Sequence, residues 1–391
     1  MIGLLAAARA VGVEVAAPHA NDVDARARFP REAFAALKKR KLLGIMVPKS
    51  EGGPGAGIAE VVSICHALGQ YCASTAMIYA MHQIQVSCLV RHASDSAWHR
   101  DYLKKLAKNQ LLLASATSEA GVGGDVRSSV CAVEQKGGRF TLAKQATVIS
   151  YGADADGILV TARRTPQSPA SDQVIVVVPK SGCSFEQQSG WDTLGMRGTC
   201  SNGYHLKATG KMEQVISTPY ADVSAQTMLP TSHLVWSALW SGIAVDAVAR
   251  ARAFVRAEAK KKPGVAAVGG WRLAEAASLL QLMKSNVVAA LRQYEGALNA
   301  EGGGSEDKLS ALPFAVAMNN LKTGSSQMAV QVINHALLIC GLAGYRNDSP
   351  FSVGRHLRDA HSAALMVNND RILANTANLL LALRSDPELL A

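Results

Sequence analysis

Aromatic side chains make up only 5% of this chain, and no two of its seven cysteines form a C-x-x-C pair. Cysteines that are scattered and odd in number exclude a disulfide framework and a cysteine-built zinc site, and they point to a reducing cytoplasm. Acidic residues are also in short supply. Thirty Asp and Glu against 40 Lys and Arg leave a formal charge of +10, which attracts phosphorylated ligands or an acidic partner protein. The basic runs Lys38-Lys39-Arg40-Lys41 and Lys260-Lys261-Lys262 carry no interleaved aromatics, so no nucleic acid partner is expected. No stretch approaches the roughly 18 apolar residues of a membrane span, and no membrane partner is expected either. The opening MIGLLAAARAVG lacks a basic leader and reads as a first helix rather than a signal peptide.

Three textures follow one another along the 391 residues, a length that suggests more than one core. Residues 1–110 read as helical. Phe29-Pro30-Arg31-Glu32 opens a helix, 50–57 is a glycine- and proline-rich loop, and 59–90 resumes as two apolar helices. Residues 111–220 hold short β-rich runs at 111–117, 138–142, 157–163 and 174–179, the pattern of a small antiparallel barrel or sandwich. Residues 221–391 return to helical periodicity over 231–260, 270–300, 308–340 and 355–385, with Gly302 to Ser305 as a break. Helices, then strands, then helices indicate an α+β chain of three domains rather than a repeating βαβ fold.

Several short runs carry more than texture. Val47-Pro48 precedes Glu51-Gly52-Gly53. Ser118-Glu119-Ala120-Gly121-Val122-Gly123-Gly124-Asp125 follows the first β-run, and Ala143 to Ser150 comes next, with Ile149 about 28 residues past Gly121. Trp191-Asp192-Thr193-Leu194-Gly195-Met196-Arg197-Gly198-Thr199 follows, then Gly341-Leu342-Ala343-Gly344-Tyr345, and finally Arg358-Asp359-Ala360. In this order the runs resemble the acyl-CoA dehydrogenase superfamily over nearly the whole chain. The resemblance implies an N-terminal helical domain (1–110), a middle β-barrel (111–220) and a C-terminal four-helix bundle (221–391), assembled as a homotetramer or homodimer. It implies FAD as cofactor, with FMN as the alternative. The flavin would lie against Ser115, Thr117, Ser118, Gly124, Val148, Ile149 and Ser150, with Gly341 and Gly344 as further cofactor contacts. Small residues suit such a loop because bare backbone can approach a ligand closely. The implied substrate is an acyl thioester on CoA or a carrier protein, and the implied redox partner is an electron-transfer flavoprotein or a flavin reductase.

The chain departs from the family pattern where the chemistry is done. Members place a base-supplying glutamate six or seven residues past the Arg-Asp-Ala triplet, and Val367 stands there. The alternative site for the base, at the start of the first long C-terminal helix, reads Thr231-Ser232-His233-Leu234-Val235-Trp236 and holds no carboxylate. The family's Arg-x-x-Phe-Gly contact to the flavin pyrophosphate is also missing. Glu258 falls at the arginine, leaving Arg256 or Lys260 to Lys262 to supply the charge. Val148 replaces an aromatic beside the flavin. Substitute bases are His82, on an N-terminal helix, and Asp370, three residues past Val367. His233 reads as a phosphate or solvent contact, and His361 as interior packing or a salt-bridge partner. Three functions stay open: a dehydrogenase-like flavoprotein, a two-component flavin monooxygenase of the same fold, and a non-redox acyl- or partner-binding protein.

Overall fold

The computed structural model describes residues 2–123, 125–261, 269–300 and 304–384. Helices come first: α1 (Ile2–Val11), α2 (Ala17–Ala25), α3 (Arg31–Lys39), α4 (Ile58–Gly69), α5 (Ala73–His92) and α6 (Ala97–Asn109). Strands follow: β1 (Leu113–Ala116), β2 (Glu134–Lys136), β3 (Arg139–Ile149), β4 (Gly157–Arg163), β5 (Gln173–Pro179), β6 (Cys183–Ser189) and β7 (Asn202–Lys211). The chain then returns to helices: α7 (Tyr220–Val223), α8 (Leu229–Lys261), α9 (Gly270–Leu298), α10 (Ser305–Ser310), α11 (Leu312–Cys340), α12 (Leu342–Tyr345), α13 (Gly354–His361) and α14 (Asn369–Ala382). Local chemistry accounts for several boundaries. α3 starts just after Pro30, with Glu32 in its first turn and Lys38 and Lys39 in its last, matching the helix dipole.

The strands form two sheets, ordered β1-β4-β5 and β2-β3-β7-β6. Among the described residues no ladder closes them into one ring; single bridges at Ala132–Arg163 and Val176–Val215 are the only pairing beyond the strands. The expectation of purely antiparallel pairing needs correction, because β1 and β4 are parallel. The chain leaves β1, builds β2 and β3 in the other sheet, and re-enters beside β1 in the same direction. β4 and β5 are buried along almost their whole length, which is why their apolar runs stand out in the sequence. β6 is polar and largely exposed, and so gives no such signal.

The helical sections share one core. A single apolar cluster extends from Ala8 through the strands to Ala363. α8 is its axis, packed against α4, α5, α9 and α11. It meets α4 through two glycines: a Cβ on Gly69 would lie 2.4 Å from the Leu239 carbonyl oxygen, and one on Gly242 would lie 2.3 Å from that of His66. The stretch Tyr220–Lys261 is long and apolar enough to cross a membrane by length and composition, contrary to the sequence reading, but 78% of its most apolar window is buried in the fold.

The periodicity over 355–385 does not make one helix. α13 stops at His361, and α14 begins at Asn369, where the Asn368 side chain accepts from the Asp370 amide. Val367 lies in the intervening bend with φ +47°. Asp370 is therefore not one helical turn from Val367.

Candidate active site

The two segments expected to hold a cofactor are joined by hydrogen bonds. The Ser118 hydroxyl donates to the Val148 carbonyl (2.8 Å) and accepts from the Val148 amide (3.1 Å), and the Ala120 amide donates to the Gln145 carbonyl (2.9 Å). Beneath this loop Glu119 is buried. Its carboxylate accepts from the Ser129 hydroxyl (2.7 Å), the Val130 and Cys131 amides (3.1 and 2.6 Å) and the Lys144 ammonium (3.2 Å). Lys144 is buried as well and also donates to the Thr161 carbonyl (2.8 Å). The Ser-Glu pair of the motif thus ties the loop to β3 and β4, a role the sequence alone did not reveal.

A bulge in β3 decides which side chains face outward. Its register with β7 shifts between Ala146 and Ile149, and Thr147 and Val148 are both exposed in an otherwise alternating strand. Ile149 is consequently turned into the core with 0% exposure, so only its backbone is available to a ligand. Ser115 and Thr117 are half-buried at the end of β1, and neither side chain has an intrachain hydrogen bond among the described residues. The Ser150 hydroxyl lies 2.7 Å from that of Ser201, which reaches Thr199 at 2.9 Å. Gly124 lies outside the described residues. Gly341 and Gly344 sit at the far end of α11, where Gly341 takes φ +54°, ψ −134°, a conformation suited to glycine. Among the described residues no hydrogen bond joins them to the β1 and β3 segments.

The two substitute bases fare poorly. His82 is completely buried in α5. Its Nε2 lies 2.9 Å from the Leu43 carbonyl, and its Nδ1 accepts from the Leu113 amide at 3.0 Å. Burial pushes it down to about 4, and its one lone pair is already engaged, so it ties α5 to β1 and cannot take a proton from a ligand. Asp370 is an exposed carboxylate in the first turn of α14. His361 is exposed rather than interior.

Around Val367 the structure adds residues that the sequence did not single out. Lys322 is fully buried in the middle of α11, and its ammonium donates to the Val367 carbonyl and to Asn369 Oδ1, both at 2.7 Å. Asn369 in turn donates to Ser326 (3.0 Å). Burial pushes the Lys322 amine down to about 7. On the facing side of α8, His233 Nδ1 lies 3.0 Å from the Met318 carbonyl while Nε2 has no partner. Arg371, on the first turn of α14, reaches the Gly123 carbonyl. The first turn of α14 therefore reaches the loop after β1 at Gly123.

The remaining motifs form a clamp. Arg358 bonds Asp24 and the Leu194 carbonyl (3.0 Å), Asp359 accepts from the Met196 amide (2.7 Å), and Arg197 bonds the Asp24 carbonyl (2.9 Å) and Asp192 (3.0 Å). Gly195 is required there, since a Cβ would lie 2.1 Å from the Arg358 carbonyl oxygen. Arg197 is thus a structural contact. Asp359 is enclosed, and burial pushes it up to about 6. At the missing pyrophosphate contact, Glu258 pairs with Lys261 (2.7 Å) in an exposed ion pair and Arg256 points to solvent. Lys262 lies outside the described residues.

Comparison with known proteins agrees with this geometry. The family model described as "Acyl-CoA dehydrogenase, N-terminal domain" matches residues 3–135. A probable acyl-CoA dehydrogenase of Mycobacterium leprae is 27% identical over 372 residues, 94% of this chain and 92% of that protein. The chain belongs to the acyl-CoA dehydrogenase superfamily. Solved structures share the superfamily fold over nearly the whole chain. Butyryl-CoA dehydrogenase from Megasphaera elsdenii superposes with a TM-score of 0.77 at 20% identity, covering 97% of both chains. The FMN-bound dibenzothiophene monooxygenase TdsC from Paenibacillus sp. A11-2 gives 0.83 at 18% identity, covering 99% of this chain and 100% of the other.

Proposed function

We propose that this superfamily member is a flavin-dependent oxidoreductase acting on an acyl thioester of CoA or a carrier protein. The observation that carries the reading is the stitched pair of segments at the ends of β1 and β3. They join Ser118 to Val148, Arg371 of α14 reaches the same loop at Gly123, and Ser115, Thr117 and Ser150 adjoin these contacts along the chain. The fit to a flavin is good at the ring, where two unengaged hydroxyls and an exposed apolar residue adjoin bare backbone, and weaker at the pyrophosphate. There Arg256, Lys260 or Lys261 would balance the charge. FAD is the proposed cofactor, with FMN as the alternative, and Gly341 and Gly344 would contact it from a neighbouring copy in a homotetramer or homodimer. When bound, a flavin supplies the hydride acceptor. The chain's own residues bind and orient the ring, while Val367 leaves the α-proton of the thioester without an acceptor. A positioned base contributes about 10²–10⁴-fold, so dehydrogenation is expected to be slow by about that factor. An electron-transfer flavoprotein or a flavin reductase is the proposed redox partner, and residues 1–110, 111–220 and 221–391 are the proposed domains.

The vacancy at Val367 favours one second reading, a two-component flavin monooxygenase, because that class has no need of the missing carboxylate. Anaerobic titration of the flavin-loaded protein with butyryl-CoA and longer thioesters separates the two. Bleaching of the flavin supports the thioester reading. Product that forms only with a reductase and O₂ supports the second. Protein that takes up neither FAD nor FMN overturns both.

A further inference from the structure

We propose that Lys322 is the positioning residue of this site, holding segment 367–369 in place so that the chain keeps a preformed seat for a base at position 367 without the carboxylate itself. The meaning of that seat rests on the thioester reading above; the latch itself rests on geometry. Lys322 is fully buried, and among the described residues no carboxylate lies within ion-pair distance of it. Both of its hydrogen bonds go to the bend, to the Val367 carbonyl and to Asn369 Oδ1, each at 2.7 Å. Asn369 passes the restraint on to Ser326, one turn along α11, and Asn319 on the same helix holds Thr376 of α14 at 3.0 Å.

A buried lysine nitrogen without a counter-charge is costly to keep for packing alone, charged or neutral, since an alkyl chain would fill the same volume without desolvating a polar group. What it secures here is unusual backbone. Val367 has φ +47°, a conformation that a β-branched residue rarely adopts. Glutamate at 367 would meet less strain than valine, because it is not branched at Cβ. The side chain at 367 is partly exposed, with 38% of its surface accessible, so a longer residue has room to extend.

The test uses the full chain. Lys322→Met should raise amide exchange across 365–371 about tenfold while leaving the centre of α9 unchanged, as a local rather than global opening does. Asn369→Ala removes one of the two anchors and should show the same pattern more weakly, which keeps the test usable if the lysine variant does not fold. In the flavin-loaded Val367→Glu background, butyryl-CoA should bleach the flavin. Adding Lys322→Met should lower the rate at saturating thioester about a hundredfold, with the half-saturating concentration within about twofold because binding groups are untouched. Exchange that is unchanged, or raised equally across the bundle, overturns the proposal, as does a double variant that bleaches as fast as Val367→Glu. If Val367→Glu does not bleach at all, the thioester reading falls, and the exchange measurement made without flavin still decides the latch.

Discussion

At Val367, His82 and Asp359 the local surroundings decide what each side chain can do. His82 is a candidate base by its place on an N-terminal helix, yet both ring nitrogens are committed in a dry site. His82→Ala is expected to destabilise the protein by roughly 3 kcal/mol through lost hydrogen bonds and a cavity, as measured by urea unfolding, without shifting the pH profile of flavin bleaching. A changed profile would return His82 to the chemistry. Asp359 makes a signed pH prediction. Its folded pKa of about 6 lies above the ordinary 3.8, so the folded state binds its proton more tightly than the unfolded chain does. Stability is then highest with the proton on, and it falls as pH rises from about 4 through about 6. Asp359→Asn should remove this slope and be more stable than wild type at pH 7 by on the order of 2 kcal/mol, with the difference vanishing near pH 4. A pH-independent difference would contradict it. The place of Val367 in the pattern could be read from the sequence. Its left-handed bend could not, since a valine gives no local signal for positive φ.

At the level of elements, two junctions hold the site. The loop after β1 depends on the buried Glu119–Lys144 pair. Glu119→Gln should cost about 3–5 kcal/mol because it strands the Lys144 charge, and it should weaken flavin uptake because the loop loosens. Combining it with Lys144→Met should recover part of the stability, and a double variant no better than the single would refute the pairing. The α4–α8 crossing depends on Gly69 and Gly242. Gly242→Ala should cost about 1–3 kcal/mol, as overpacking generally does, and a thermal melt like that of wild type would show that the helices can part without loss. Strands β4 and β5 were legible because both faces are covered, whereas the bulge at Thr147–Val148 was not. Its consequence, Ile149 inward and Val148 outward, depends on the partner strand β7.

Across the whole molecule, apolar side chains remain uncovered in the single chain at the end of α11 and on α12. Leu342 and Tyr345 are 71% and 74% exposed, more than a solitary surface residue requires. Sedimentation velocity is expected to show an assembly larger than one chain, and Leu342→Ser with Tyr345→Ser should shift it toward the monomer; a wild-type monomer would remove the proposal that neighbouring copies complete the cofactor site. The sequence by itself determined the helix–strand–helix order, the superfamily and the absent carboxylate, because periodicity, glycine loops and motif order are local properties of a chain. Only the tertiary structure decided that His82 is tied up, that the two sheets include a parallel pair, and that Lys322 grips the bend at Val367. Each of these depends on groups far apart in the chain meeting in a dry interior, where an unmatched polar atom or charge costs more than any local preference can repay.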